Sequence, residues 1–199
     1  MDSAPTALEY NGQRLDQASY SALRAKDPGA AIVWHFLDLP KDQDFLDQSV
    51  LFAGAAIASD SIPWKLLETD AWPLPQGAFA HPRSAGTFAR FLARWVRERK
   101  HLSLSDAIRK STLIPAQILE ASVPQMEKKG RMQEGMDADV VVFDAGTIQD
   151  RATYTEPAQP SVGMKYVLVN AVPIVSDGEL VRDALPGKPV RGSVTISAQ

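Results

Sequence analysis

The 199-residue sequence contains no cysteine and only three histidines, His35, His81 and His101. The first absence excludes disulfides and thiolate metal sites, and is compatible with a reducing compartment. The second restricts nitrogen ligation, because no two of the histidines stand in His-x-His, His-x-x-x-His or His-Glu-x-x-His spacing. Long apolar runs are also missing. The stretch VLFAGAAIA (50–58) is too short to span a bilayer, and the N-terminus lacks the basic-then-apolar pattern of a signal peptide. A formal charge of −3 with dispersed Lys and Arg gives no nucleic-acid footprint. No glycine-rich phosphate loop and no nucleophile elbow occur. The expectation is a cytoplasmic protein with no membrane and no nucleic-acid partner.

What is present is an ordinary globular composition, 45% hydrophobic and 23% charged, on a chain long enough to bury a core. Residues 12–26 have helical spacing and stop at Asp27-Pro28-Gly29. The apolar run AAIVWHFL (30–37) reads as a buried strand, KDQDFLDQSV (41–50) as a short acidic helix, and AGAAIAS (53–59) as a second buried strand. Strand–helix–strand order implies a βαβ unit with a parallel sheet. Residues 61–83, rich in proline and holding Trp64 and Trp72, read as a long loop. The tryptophans either anchor that loop or wall a pocket.

Residues 84–99 form an amphipathic pattern with Phe88, Phe91, Leu92, Trp95 and Val96 on one face. Arg90, Arg94, Arg97 and Arg99 line the other, which is read as solvated. A second helix covers 103–121, with Ser103 and Asp106 in capping-box spacing, Ser105 as a competing cap, and Pro115 expected to kink or divide it. Beyond a boundary near residue 126 the pattern turns to strands, over 137–146 and 164–183, with a hairpin at Asp177-Gly178. The division is therefore 1–125 as an α/β part and 126–199 as a small β part.

The small and apolar run 53–59 ends at Ser59-Asp60, which makes Asp60 the first candidate for chemistry; the bland alternative is a turn cap. His81 and Arg83 follow the loop. Arg83 suits bidentate carboxylate binding but equally suits a surface position, and His81 equally suits loop packing. His35 reads as a core or interface histidine, and His101, between two helices, as solvated.

Four segments carry a resemblance: AIASDSIPW, HPRSAGTFARFL, AIRKSTLIPAQIL, and GMDADVVVFD followed by DRATY and YVLVN. In this order they resemble the C-terminal part of N-acyl-D-amino-acid deacylases of the amidohydrolase superfamily, in particular the N-acyl-D-glutamate deacylase branch. The resemblance covers about residues 12–192 and implies the last two βα units of a (β/α)8 barrel, plus the C-terminal part of a small β-sandwich. In such barrels the chemistry sits at the C-terminal ends of the strands. By resemblance, Asp60 is the catalytic carboxylate at a metal-bound water and a metal ligand. It takes the water's proton and delivers it to the leaving nitrogen. His81 and Arg83 are then substrate-binding, and the substrate is an N-acyl-D-amino acid such as N-acyl-D-glutamate.

The implied cofactor is zinc, and a catalytic zinc takes about three protein ligands. The family's His-x-His pair and its other ligands have no counterpart in this sequence. The chain is therefore expected to be a fragment that is inactive alone and does not hold zinc by itself. It would pair with a complementary N-terminal chain or with itself. The alternative is a non-catalytic remnant or assembly module. One departure concerns Asn170-Ala171, where the family commonly has glycine after the asparagine; Ala171 is strained if its turn requires positive φ.

Overall fold

A computed structural model describes residues 8–34, 40–61 and 81–192. The chain divides into two compact units, Met1–Phe52 and Ala53–Gln199.

In the first unit, strands β1 (Leu8–Tyr10) and β2 (Gln13–Arg14) form a hairpin around Asn11-Gly12, both at positive φ (49° and 79°). Asn-Gly is the dipeptide best suited to such a turn. Helix α1 (Gln17–Lys26) therefore starts five residues later than its periodicity predicts. Asp16 caps it, its Oδ1 accepting the Ser19 N–H at 2.7 Å while the Asp16 N–H donates to Ser19 Oγ at 2.8 Å. The helix ends at Asp27, as the Asp-Pro-Gly signal requires.

The expected strand 30–37 is represented by β3 (Val33–Trp34), and residues 35–39 lie outside the described part. β3 pairs antiparallel with β1, giving the order β2-β1-β3. The acidic helix is present as α2 (Pro40–Leu51).

In the second unit, helix α3 (Pro82–Phe91) runs on into a π-helical stretch, Leu92–Glu98. Helix α4 (Leu104–Ser111) is capped by Ser103, whose Oγ accepts the Asp106 N–H at 3.1 Å. The break in the predicted 103–121 helix falls at Thr112, and α5 (Leu113–Leu119) follows. Pro115 explains its place. The proline ring clashes with the carbonyl four residues back, that of Ser111, yet is tolerated in the first turn of a new helix. A 3₁₀ turn, Pro124–Lys128, leads to an antiparallel sheet of β4 (Val140–Phe143), β5 (Met164–Val169), β6 (Val172–Ser176) and β7 (Glu179–Leu180), in that order. The Asp177-Gly178 hairpin forms as expected, at φ 50° and 86°.

Two expectations fail. Every ladder among the described residues is antiparallel, so they contain no parallel βαβ pair. Residues 55–60 form no strand either: the Ile57 N–H donates to the Lys110 carbonyl at 2.9 Å rather than to a neighbouring strand. An apolar run becomes a strand only where another strand meets it.

The core of this unit is small. Ala89, Phe91, Leu92, Ala93 and Trp95 are buried with Ala107, Ala116, Ile148 and Ala152. No residue of β4–β7 is fully buried. No helix among the described residues is long and apolar enough to cross a membrane.

Two opposite backbone predictions follow. Gly163, at φ 86°, would place a Cβ 2.6 Å from the backbone of buried Ile148. Gly163→Ala should destabilise the chain by about 2–4 kcal/mol, read as a lower urea midpoint. Ala171 sits at φ 65° in the β5–β6 turn, the strained position foreseen above. Ala171→Gly should raise stability by roughly 0.5–1 kcal/mol, because a left-handed alanine costs more than the glycine's extra freedom.

Candidate functional site

The three site residues expected from the sequence are brought together in the second unit. Asp60 ends the segment 55–60 in the left-handed conformation, at φ 48°, which aspartate tolerates better than most residues. Its side chain is 88% exposed. Arg83, in the first turn of α3, holds it twice: Nε donates to the Asp60 carbonyl at 2.6 Å and Nη2 meets Oδ2 at 3.0 Å. An exposed ion pair of this kind is worth about 0–1 kcal/mol, so a competing anion or cation can open it. Arg83 therefore engages the candidate carboxylate itself in this structure, and its guanidinium has further N–H donors for other oxygens.

His81 is the N-cap of α3. Its Nδ1 accepts the Arg83 N–H at 3.1 Å, and Pro82 occupies the first helical position, where a missing N–H costs nothing. The acceptor role requires a neutral ring with its proton on Nε2. Burial first, and the nearby cations Arg83 and Arg90 second, push the His81 imidazole below its usual range, while Asp60 pulls the other way. The ring also meets Tyr154 edge-on, with centroids 5.3 Å apart.

Tyr154 was not singled out by the sequence, although it belongs to the DRATY segment. That loop is fixed to α3 by Arg90, whose Nε and Nη2 lie 2.7 and 2.6 Å from Oδ2 of the buried Asp150. Arg97 adds bonds to the Ile148 carbonyl and, at 2.6 Å, to Gln149 Oε1. The arginine face of this helix is thus a clasp at Arg90 and Arg97 rather than a solvated face. The signal that could have found it is Gly86: a Cβ there would lie 2.0 Å from Asp150 Oδ1.

A metal ion is not accommodated by these groups alone. Among the described residues no three His, Asp or Glu side chains stand where they could hold one. Nδ1 of His81 is used by the cap, and Oδ2 of Asp60 by Arg83. His35, Trp64 and Trp72 lie outside the described residues.

The chain is similar to known proteins. A sequence model of the amidohydrolase family matches residues 15–175. The N-acyl-D-glutamate deacylase of Alcaligenes xylosoxydans xylosoxydans is 44% identical over 124 residues, covering 62% of this chain and 24% of that enzyme. The D-aminoacylase of the same organism is 30% identical over 173 residues, covering 83% and 31%. Among solved structures, the N-acyl-D-glutamate deacylase of Bordetella bronchiseptica, complexed with zinc and a phosphonate mimic of the tetrahedral intermediate, aligns at a TM-score of 0.58 and 32% identity. That alignment covers 81% of this chain and 30% of that one. A crystal structure of D-aminoacylase aligns at 0.63 and 26% identity, covering 85% and 33%. The chain thus spans between about a quarter and a third of the proteins it matches. It belongs to the amidohydrolase family.

Proposed function

We propose that the chain supplies the Asp60 rim of a deacylase that hydrolyses the amide bond of N-acyl-D-amino acids, N-acyl-D-glutamate foremost. The observation that carries this reading is the junction of Asp60, His81 and Arg83 in a chain similar to such enzymes over most of its length. Asp60 takes a proton from the attacking water as the water oxygen bonds to the acyl carbon. It passes that proton to the amide nitrogen as the C–N bond breaks, leaving a carboxylic acid and a D-amino acid. Arg83 and His81 face the substrate, the guanidinium pairing with a substrate carboxylate when the weak pair with Asp60 opens.

In this reading the segment ending at Asp60 corresponds to the last barrel strand, and β4–β7 to the C-terminal share of the sandwich. The zinc ligands come from a partner segment outside this sequence, in a longer polypeptide, a complementary chain or a second copy. Two features support the need for such a partner: the described residues lack a three-ligand cluster, and β4–β7 bury none of their side chains fully. The Asp60–Arg83 pair favours a second reading, a non-catalytic remnant in which the carboxylate is simply neutralised.

Hydrolysis of N-acetyl-D-glutamate with added zinc separates these. The chain alone should show no turnover above its Asp60→Asn variant. Combined with a polypeptide carrying the remaining family ligands, it should turn over, and Asp60→Asn should lower that rate at least about a hundredfold. No turnover in the combination would support the remnant, and an active Asp60→Asn combination would refute the role given to Asp60.

His81 makes stability pH-dependent with a definite sign. Its folded value lies below the ordinary 6.5, so the unfolded chain binds the proton more readily. The stability it contributes is therefore full above pH 6.5 and is lost as pH falls below it. Thermal melts at about pH 7.5 and about pH 5.5 should show a larger acid loss for the wild type than for His81→Asn, which caps without titrating.

A further inference from the structure

Lys110 is a buried charged residue, 5% exposed near the C-terminal end of α4. Its Nζ donates to the Ala55 carbonyl at 3.2 Å. Its own backbone carbonyl, among the last four of the helix and so without an intrahelical partner, accepts the Ile57 N–H at 2.9 Å. One residue thus gives the segment a donor and an acceptor two positions apart, the service a neighbouring strand would render to a ladder. A buried ammonium is costly unless partnered, and a charged donor to a carbonyl is stronger than a neutral one. Three residues beyond Ile57 the chain reaches Asp60, where Arg83 takes the carbonyl and the carboxylate.

The segment is therefore held at its base by Lys110 and at its tip by Arg83, with Asp60 in a left-handed conformation that a loose chain would leave. We infer that Lys110 is a positioning residue for Asp60, fixing the height of residues 55–57 and with it the place of the carboxylate against Arg83. Its catalytic meaning rests on the role proposed for Asp60; its positioning action does not.

The test is amide hydrogen exchange on the full chain, read at Ile57 and at Ala89–Trp95, together with the urea midpoint. Lys110→Met keeps the bulk of the stem and removes the donor. It should speed Ile57 exchange about tenfold, the worth of one charge-assisted bond, while the Ala89–Trp95 amides and the midpoint stay as in the wild type. Lys110→Gln, too short to reach Ala55, should do the same and serves should the Met variant not fold. Lys110→Arg should restore slow exchange at Ile57. Unchanged Ile57 exchange in both donor-deficient variants, or a uniform acceleration through α3 and α4, would overturn the inference and assign Lys110 to core packing. Asp60→Asn should leave Ile57 exchange untouched, so failure of the catalytic reading shows in hydrolysis alone.

Discussion

The second unit depends on the carboxylate of Asp150, which is 2% exposed and paired with Arg90. A carboxylate taken out of water needs partners for both oxygens, and Arg90, itself 56% exposed, meets this one from the solvent side. Here its second oxygen, Oδ1, accepts the Ala152 N–H at 2.8 Å, and Gly86 leaves the space that any side chain on that face of α3 would fill. The helix and the turn at 148–152 are therefore tied together. Three of the site's side chains are mounted on them. His81 and Arg83 are the cap and first turn of the same helix, and Tyr154 is four residues beyond Asp150 on the same loop.

The clasp also accounts for the arginines. A helix with arginine along one face reads as solvated, because periodicity records polarity and not the partner that meets it. Only the tertiary structure shows a buried acid 60 residues away from Arg90. Local signals fared better. The hairpin at Asp177-Gly178, the stop at Asp27, the Ser103 cap and the strain at Ala171 depend on backbone preferences within a few residues, and each is present. The His81 cap was open to the same reasoning, since a proline at the first helical position marks the residue before it as the cap. The Asn11-Gly12 turn was equally readable and moves the start of α1.

The parallel sheet was not open to such reasoning. The runs 30–37 and 53–59 have the composition of strands, but the composition of a strand does not choose its neighbour or its direction. Among the described residues the first run contributes Val33 and Trp34 to an antiparallel ladder. The second is paired by a helix end. The end of α4 has carbonyls to spare, and Lys110 adds a donor, so segment 55–57 finds main-chain partners without any strand beside it.

That pairing bears on why a run of alanines should end at an exposed aspartate. Small side chains let the segment approach α4 closely enough for Lys110 to reach Ala55. Asp60 then emerges where no core surrounds it, and the left-handed turn directs it to Arg83. The arrangement separates holding from chemistry. The contacts at 55–57 are half-buried and the Asp150 carboxylate is 2% exposed, whereas the Asp60–Arg83 pair is exposed and worth about 1 kcal/mol at most. A carboxylate whose backbone is pinned and whose charge is lightly engaged can change partner without moving its support. Neither a buried ion pair nor an unanchored surface aspartate has that property, and the role proposed for Asp60, taking up a proton and then giving it away, would require it.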